Sequence, residues 1–310
     1  MSKNINIILL SLLVIQAVLI AALYTPDSKN IQSEIHFLAD LDPQDTVSIL
    51  IHSAEGGEVH VTKSNQGAWF VSEGSLSYPA DRKHIEDTLL RLTSLKSNVL
   101  VTQTESSHLR LKVADDVYER KIVLTDRNDK KHIVYLGSST APKTIHLRLQ
   151  DSQKVYLAKG MSSWELNTDK DLWWDRNYID EEIEKLQSIE LTNSHGSLTL
   201  IKSGEEWHLE NEKETSLSAS AVSAFLDGVS EISLTKYLGQ QGDAYNFEKP
   251  AASLTLTGQK GPLTLKVTAA ADEENRYVVK SSESPFFVEV TEFAVEKLIN
   301  TTKEQLTSTE

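Results

Sequence analysis

The sequence predicts an α+β protein: an N-terminal transmembrane helix followed by two tandem repeats, each mainly antiparallel β-sheet with one amphipathic helix. Three observations carry this reading. An uncharged apolar run fills residues 5–24. Two later stretches alternate apolar and polar residues with period two, the mark of half-buried strands. Each is followed by apolar residues spaced four, three and three apart, the stripe of an amphipathic helix. The length of 310 residues suits more than one domain. A composition of 39% hydrophobic and 25% charged residues excludes a disordered tail and a polytopic membrane protein.

The anchor comes first, over residues 1–26. Asn6, Ser11 and Gln16 are the only polar interruptions of its apolar run. Twenty residues at ~1.5 Å each span ~30 Å, the thickness of a bilayer's hydrocarbon core. A cleaved signal peptide would have a shorter apolar region and a small-residue cleavage site, whereas here Ile20 precedes Ala21-Ala22. Lys3 before the run and Lys29 after it leave little positive-inside bias. The short head is therefore expected inside and the bulk outside, on the periplasmic or extracytoplasmic face of a bacterial inner membrane crossed once. Gln16, with Ala17 and Ala21 close by, makes a candidate contact with another membrane helix, since small residues permit close approach and a Gln can hydrogen-bond across it.

Residues 27–44 read as an acidic linker, residues 45–165 as the first repeat, 166–187 as a Trp-rich connector and 188–310 as the second repeat. In the first repeat Val47, Ile49 and Ile51 alternate, Gly56-Gly57 turns, Val59 and Val61 alternate, and Trp69 opens a third strand. In the second, Ile189 and Leu191, Gly196, Leu198 and Leu200, and Trp207 repeat that plan, and the two tryptophans are 138 positions apart. Asp81 caps a predicted helix with Ile85, Leu89, Leu92 and Leu95 on one face; Ser218 caps one with Val222, Leu226, Val229 and Ile232. Arg82-Lys83-His84 at the start of the first helix runs against the helix dipole. Strands are predicted again around Ile122, Ile133, Ile145 and Val155, and around Leu254, Leu263, Tyr277 and Phe287. Residues 126–129 and 258–261 read as turns between them, and residues 137–140 as a turn. Strands, helix, strands is an α+β order, without βαβ units.

The connector holds Trp173, Trp174 and Arg176. These are the candidate contact residues of the extracytoplasmic part. One reading is a seam that packs one repeat on the next, with Arg176 paired to a carboxylate such as Asp175. The other is an exposed aromatic platform for a glycan or a partner.

No catalytic constellation is visible. Zero cysteine excludes disulfides, thiolate chemistry and Cys-ligated metals. His52 and His60 share a meander but lack a third zinc ligand. Residues 40–45 lack the Gly and distal Glu of a calcium loop. Gly137-Ser138-Ser139-Thr140 lacks the setting of a nucleophile elbow. No phosphate-binding glycine motif occurs. No cofactor is expected, and the protein is read as not an enzyme. Nucleic acid is not expected as a partner of a chain whose net charge is −14.

The apolar anchor, the Gly-x-Trp hairpin at Gly67, the Pro79-Ala80-Asp81 helix start, the Leu136-Gly137 strand and the Tyr156-Leu157 strand before Asp175-Arg176 resemble the bacterial family called domain of unknown function 4340. In the second repeat, Val267-Thr268 stands in place of Leu136-Gly137. The resemblance implies a membrane-anchored extracytoplasmic protein whose gene neighbours encode an ABC transporter of the gliding-motility type. It supplies no catalytic residues. The expected function is thus a non-enzymatic accessory or scaffold protein with the membrane and ABC transporter subunits as partners. Alternatives are an anchored cell-wall or ligand-binding module using Trp173 and Trp174, and a hydrolase with an unrecognised site.

The charge is unevenly divided. Residues 45–160 carry 16 basic and 14 acidic groups, while residues 161–310 carry 13 basic against 27 acidic. An acidic surface on the second repeat would keep it soluble and away from an anionic bilayer, or would meet a basic partner.

Overall fold

The computed structural model describes residues 12–19, 34–179, 183–212, 215–271 and 274–307. In chain order its strands and helices are β1 (Ile35–His36), β2 (Thr46–Ser53), β3 (Glu58–Lys63), β4 (Trp69–Glu73), β5 (Leu76–Pro79), α1 (Arg82–Thr93), β6 (Lys96–Ser97), β7 (Leu100–Thr102), α2 (His108–Leu111), β8 (Arg120–Asp126), β9 (Lys131–Ala141), β10 (Thr144–Leu149) and β11 (Val155–Lys159). There follow β12 (Ser188–Asn193), β13 (Gly196–Ser203), β14 (Glu206–Leu209), α3 (Ala219–Ser230), β15 (Leu234–Gly239), β16 (Ala252–Gly258), β17 (Gly261–Ala269), β18 (Arg276–Ser281), β19 (Phe287–Thr291), α4 (Glu292–Asn300) and α5 (Lys303–Thr307). The protein is α+β with antiparallel sheets.

Most of the predicted anchor lies outside the described residues. Of it, residues 12–19 are helical and exposed. Among the described residues no helix is long and apolar enough to cross a membrane.

The chain divides into two compact units, neither of which is continuous in sequence. One holds residues up to Asp42, Arg91–Lys121 and His132–Leu166; the other holds Pro43–Leu90, Ile122–Lys131 and Asn167–Glu310.

In the first of these units the strand order is β1-β6-β11-β10-β9, with β7 also on β11. Its core gathers Leu111, Val113, Tyr135 and Val155, flanked by Tyr118 and Ile133. Part of the stretch read as linker is folded here: Ile35 pairs with Ser97, and the buried Phe37 ring lies 5.4 Å from that of Tyr156. Residues 27–33 lie outside the described residues.

The predicted turn at residues 137–140 is corrected. These residues continue β9 to Ala141, and the ladder with β10 shifts register around Ile145. Gly137 is needed there for closeness, not for turning: a Cβ on it would stand 2.1 Å from the Leu111 carbonyl oxygen and 2.7 Å from that of Lys112. Because the obstacle is backbone, Gly137→Ala is expected to lower stability by about 1–3 kcal/mol, read as a lower urea midpoint at unchanged m-value.

In the second unit one sheet runs β8-β2-β3-β4-β5 and another β14-β13-β12-β16-β17-β18-β19-β15. Period-two alternation puts Ile49, Ile51, Val59, Val61 and Val71 fully inside, as it does Ile189 and Leu200. The order β4-β3-β2-β8 is reproduced by β14-β13-β12-β16, and the order β9-β10-β11-β6 by β17-β18-β19-β15. Helices follow at corresponding places. Asp81 Oδ1 accepts from the His84 amide at 3.0 Å, and Ser218 Oγ from the Ala221 amide at 3.3 Å. These bonds satisfy donors that a helix start leaves open. The cationic opening of α1 has local partners: Arg82 meets Glu86 at 2.6 Å, and the His84 ring stands edge-on to Trp173, centroids 4.8 Å apart.

Two features were not read from the sequence. A fourth strand, β5, pairs with β4. After β19, Thr291 Oγ1 caps α4 through the Ala294 amide at 3.3 Å, and Val295, Leu298 and Ile299 are buried on its inner face.

Candidate functional site

The connector residues singled out in the sequence lie inside the second unit. Trp173 is fully buried and its Nε1 donates to the Asn167 carbonyl at 2.9 Å. Its backbone carbonyl accepts from the Asp81 amide at 2.9 Å, and Trp174 bridges Ala80. Three residues on, Asn177 bridges Ser233, and the Leu234 amide reaches the Arg176 carbonyl at 2.9 Å. The connector is thereby stitched to the end of β5 on one side and the start of β15 on the other.

Around Trp174 the rings of Tyr78, Tyr237 and Phe286 close up. Tyr78 stacks on Tyr237 at 4.5 Å, and Trp174 meets Tyr237 edge-on at 5.3 Å. Burial raises the Tyr237 hydroxyl far above the ordinary phenol range, with Asp175 adding to it. That hydroxyl donates to the Asp175 carbonyl at 3.1 Å. Burial likewise raises Tyr178, which donates to the Phe286 carbonyl at 2.6 Å and accepts from the Ser281 amide at 3.0 Å. These phenols are neutral structural bridges. The Trp174 Nε1 is buried with no acceptor among the described residues.

Trp173 and Trp174 accordingly present no stacking face to a ligand. Arg176 is paired with Asp171, at 3.6 Å, and donates to the carbonyls of Leu234, Thr235 and Asp171. Gln16 lies on the exposed helical stretch 12–19, and Ala21 lies outside the described residues.

Two open grooves stand at corresponding positions in the second unit, each between the tryptophan of a third strand and the helix that follows. The one at Trp69 has about 410 Å³ and is walled by Lys63, Arg82, Glu86, Leu89 and Arg127. Its Lys63 ammonium lies 5.3 Å over the Trp69 ring, and Arg127 pairs with Asp45 at 3.3 Å. The one at Trp207 has about 550 Å³ and is walled by Glu205, Glu206, His208, Val222 and Leu226. Here Lys202 lies 5.9 Å over the Trp207 ring. One plan has therefore produced a basic groove and an acidic one. Trp69 is buried, whereas Trp207 is only half-buried. The sequence signalled the tryptophan pair through its 138-residue offset, but not the grooves.

The other unit has a cleft of about 680 Å³ above Arg148, with His108, Asp115, Asp116, Asp151 and Gln153 around it. Arg148 is 4% exposed. Its Nε donates to the Val113 carbonyl at 2.6 Å, its Nη1 reaches the Gln150 and Ser152 carbonyls at 3.2 and 3.3 Å, and its Nη2 donates to Asp115. The guanidinium lies 4.4 Å from the centre of the Tyr135 ring. Arg148 holds the Asp115 carboxyl below the usual carboxylate range, through its hydrogen bond first and its charge second. With its donors used on the loops around it, this arginine acts as a staple. His108 is spent in the same way, bonded to the Gln153 carbonyl at 2.9 Å.

Of the histidines weighed for zinc, His52 pairs with Glu58 at 3.1 Å and His60 meets Ser48 at 3.0 Å. Among the described residues no group of three His, Asp or Glu side chains is placed to hold a metal ion.

Comparison with curated proteins and with solved structures gives no match. The family described as a domain of unknown function, DUF4340, matches residues 69–250, which takes in β4 with Trp69, the Arg148 staple, the whole connector and β14 with Trp207. Since that match covers more than half of its length, the chain belongs to the DUF4340 family.

Proposed function

We propose that this protein is a non-enzymatic accessory or scaffold subunit, held in a bacterial inner membrane by its N-terminal segment with its folded part on the extracytoplasmic face, beside an ABC-type transport system. One observation carries the membrane reading. In the helical stretch 12–19, Leu12, Leu13, Val14, Ile15, Val18 and Leu19 are each more than half exposed. Such a contiguous apolar surface is stable only when covered, and the apolar run around it, residues 5–24, has the length to lie in a bilayer. The transporter partner rests on the family resemblance alone. The alternative of a wall-binding module loses the surface first assigned to it, because Trp173 is fully buried and Trp174 nearly so.

The test is fractionation followed by cross-linking at native expression. The full chain is expected to stay with membranes through an alkaline carbonate wash, and a variant lacking residues 5–24 to become soluble. Cross-linking in detergent is expected to recover an ATPase and a permease subunit. Carbonate-extractable full-length protein would overturn the anchor, and recovery of neither subunit would overturn the transporter partner.

A further inference from the structure

In the N-terminal meander the third strand is covered. β5 lies along β4, Val71 opposite Tyr78 and Glu73 opposite Leu76, and the Trp69 carbonyl accepts from the Ala80 amide at 2.9 Å. The corresponding strand of the C-terminal meander, β14, is the last of its sheet. No strand among the described residues lies along its outer side.

The ladder to β13 decides which groups β14 turns outward. Ser203 stands opposite Glu206 across a two-residue turn, and His208 opposite Ile201. The Glu210 amide reaches the Thr199 carbonyl at 3.0 Å. Bonded and non-bonded pairs alternate along an antiparallel ladder. Glu206, His208 and Glu210 therefore bond toward β13, and the N–H groups of Trp207 and Leu209 face away from it. The Trp207 carbonyl faces away too, while that of Leu209 takes the Glu212 amide at 3.3 Å. Beside this edge lies the 550 Å³ groove, whose far wall is residues 215–217 and α3.

We propose that β14 is a strand-addition site for a basic, extended segment of a partner protein, which takes the place that β5 holds in the first meander. The fold supplies the template, since the same strand accepts a neighbour once within this chain. The outward Trp207 and Leu209 amides supply main-chain donors, and the groove beside Trp207 takes the alternate side chains of an extended strand. Charge selects the occupant. Glu205, Glu206 and Glu210 are exposed along this edge, so a segment bearing Lys or Arg is attracted and a second copy of the same acidic edge is repelled. This site is independent of the membrane reading.

The experiment uses the full chain in detergent, amide hydrogen exchange as the readout, and two octapeptides as probes, one alternating lysine with valine and one alternating glutamate with valine. The basic peptide is expected to slow exchange at Trp207 and Leu209, leaving Glu206 and His208, already bonded to β13, unchanged. The acidic peptide should have no effect. The E205K/E206K variant, altered only at exposed positions, is expected to bind the basic peptide about tenfold more weakly. A basic peptide N-methylated along one edge should bind as before when that edge faces solvent, and its counterpart methylated on the other edge should not bind. Equal loss or equal retention for the two methylated peptides would reduce the effect to simple charge attraction and overturn the proposal. So would protection confined to other strands, or concentration-dependent protection of Trp207 and Leu209 in the protein alone, which would assign the edge to a second copy.

Discussion

Trp173→Ala is expected to lower the unfolding free energy by about 3–5 kcal/mol, the range for deleting a large buried aromatic side chain. The indole is fully enclosed, donates to the Asn167 carbonyl and packs against the His84 ring. Its loss opens a cavity and leaves that carbonyl without its donor. The backbone bond from Asp81 to residue 173 survives the substitution, so the expected result is a less stable protein of unchanged topology. Trp164 provides the control, because it is 70% exposed. Trp164→Ala should change stability by no more than about 0.5 kcal/mol. Urea unfolding followed by circular dichroism checks both. Equal effects of the two substitutions would refute the burial argument.

Arg148→Ala is the second large effect. Removing the guanidinium leaves the carbonyls of Val113, Gln150 and Ser152 without the donor they share. At about 1 kcal/mol net for each such bond, the expected loss is about 3 kcal/mol. Arg148→Lys should recover little of it, since an ammonium cannot reproduce a fork that reaches carbonyls on several sides. The companion measurement is stability against pH. The Asp115 carboxyl is held low in the folded protein, so its contribution is fully present above its unfolded pKa, about 4. That contribution is lost as pH falls through the lowered folded value. Asp115→Asn should abolish this part of the acid dependence. Because the Asp115 side chain is 75% exposed, Asp115→Asn at neutral pH should cost less than Arg148→Ala.

The local parts of the fold were legible in the sequence. The stripe through Leu89, the caps at Asp81 and Ser218 and the alternation through Ile49 and Ile189 each depend on residues a few positions apart. The second stripe is buried at Val222, Val229 and Ile232, but Phe225 takes the inner place expected of Leu226, which is half-buried at the groove. What was missed depended on distant partners. The pattern of β10 puts Ile145 and Leu147 on a core face and so suggests that His146 and Arg148 are solvated. All four are buried, because residues around Val113 close over the other face and take the Arg148 donors. Gly137-Ser138-Ser139-Thr140 has the composition of a turn, yet its glycine answers to the Leu111 carbonyl in another segment. β5 is only four residues long and ends in proline, which concealed a strand that matters for the comparison of β4 with β14. The α4 helix, with Val295, Leu298 and Ile299 at helical spacing, carried a local signal that went unread. At the candidate site, the Trp69 and Trp207 correspondence was legible. Which tryptophan strand carries a neighbour was not, because that depends on pairing outside the motif.

The stitching of residues 173–177 between β5 and β15 also sets a timetable. At ~5–20 residues per second of synthesis, Ala80 and Asp81 leave the ribosome roughly 5–20 s before the tryptophans that bond to them. Throughout that interval the N-terminal meander has emerged but its flank is open, with Tyr78 lacking the rings of Trp174, Tyr237 and Phe286. Final consolidation of this unit therefore falls late, after Phe286 has been added. A polypeptide released at Leu166 would keep β2 to β5 and lose every aromatic that covers Tyr78. The nascent N-terminal half is thus the stage of this protein's life at which a chaperone has most to protect.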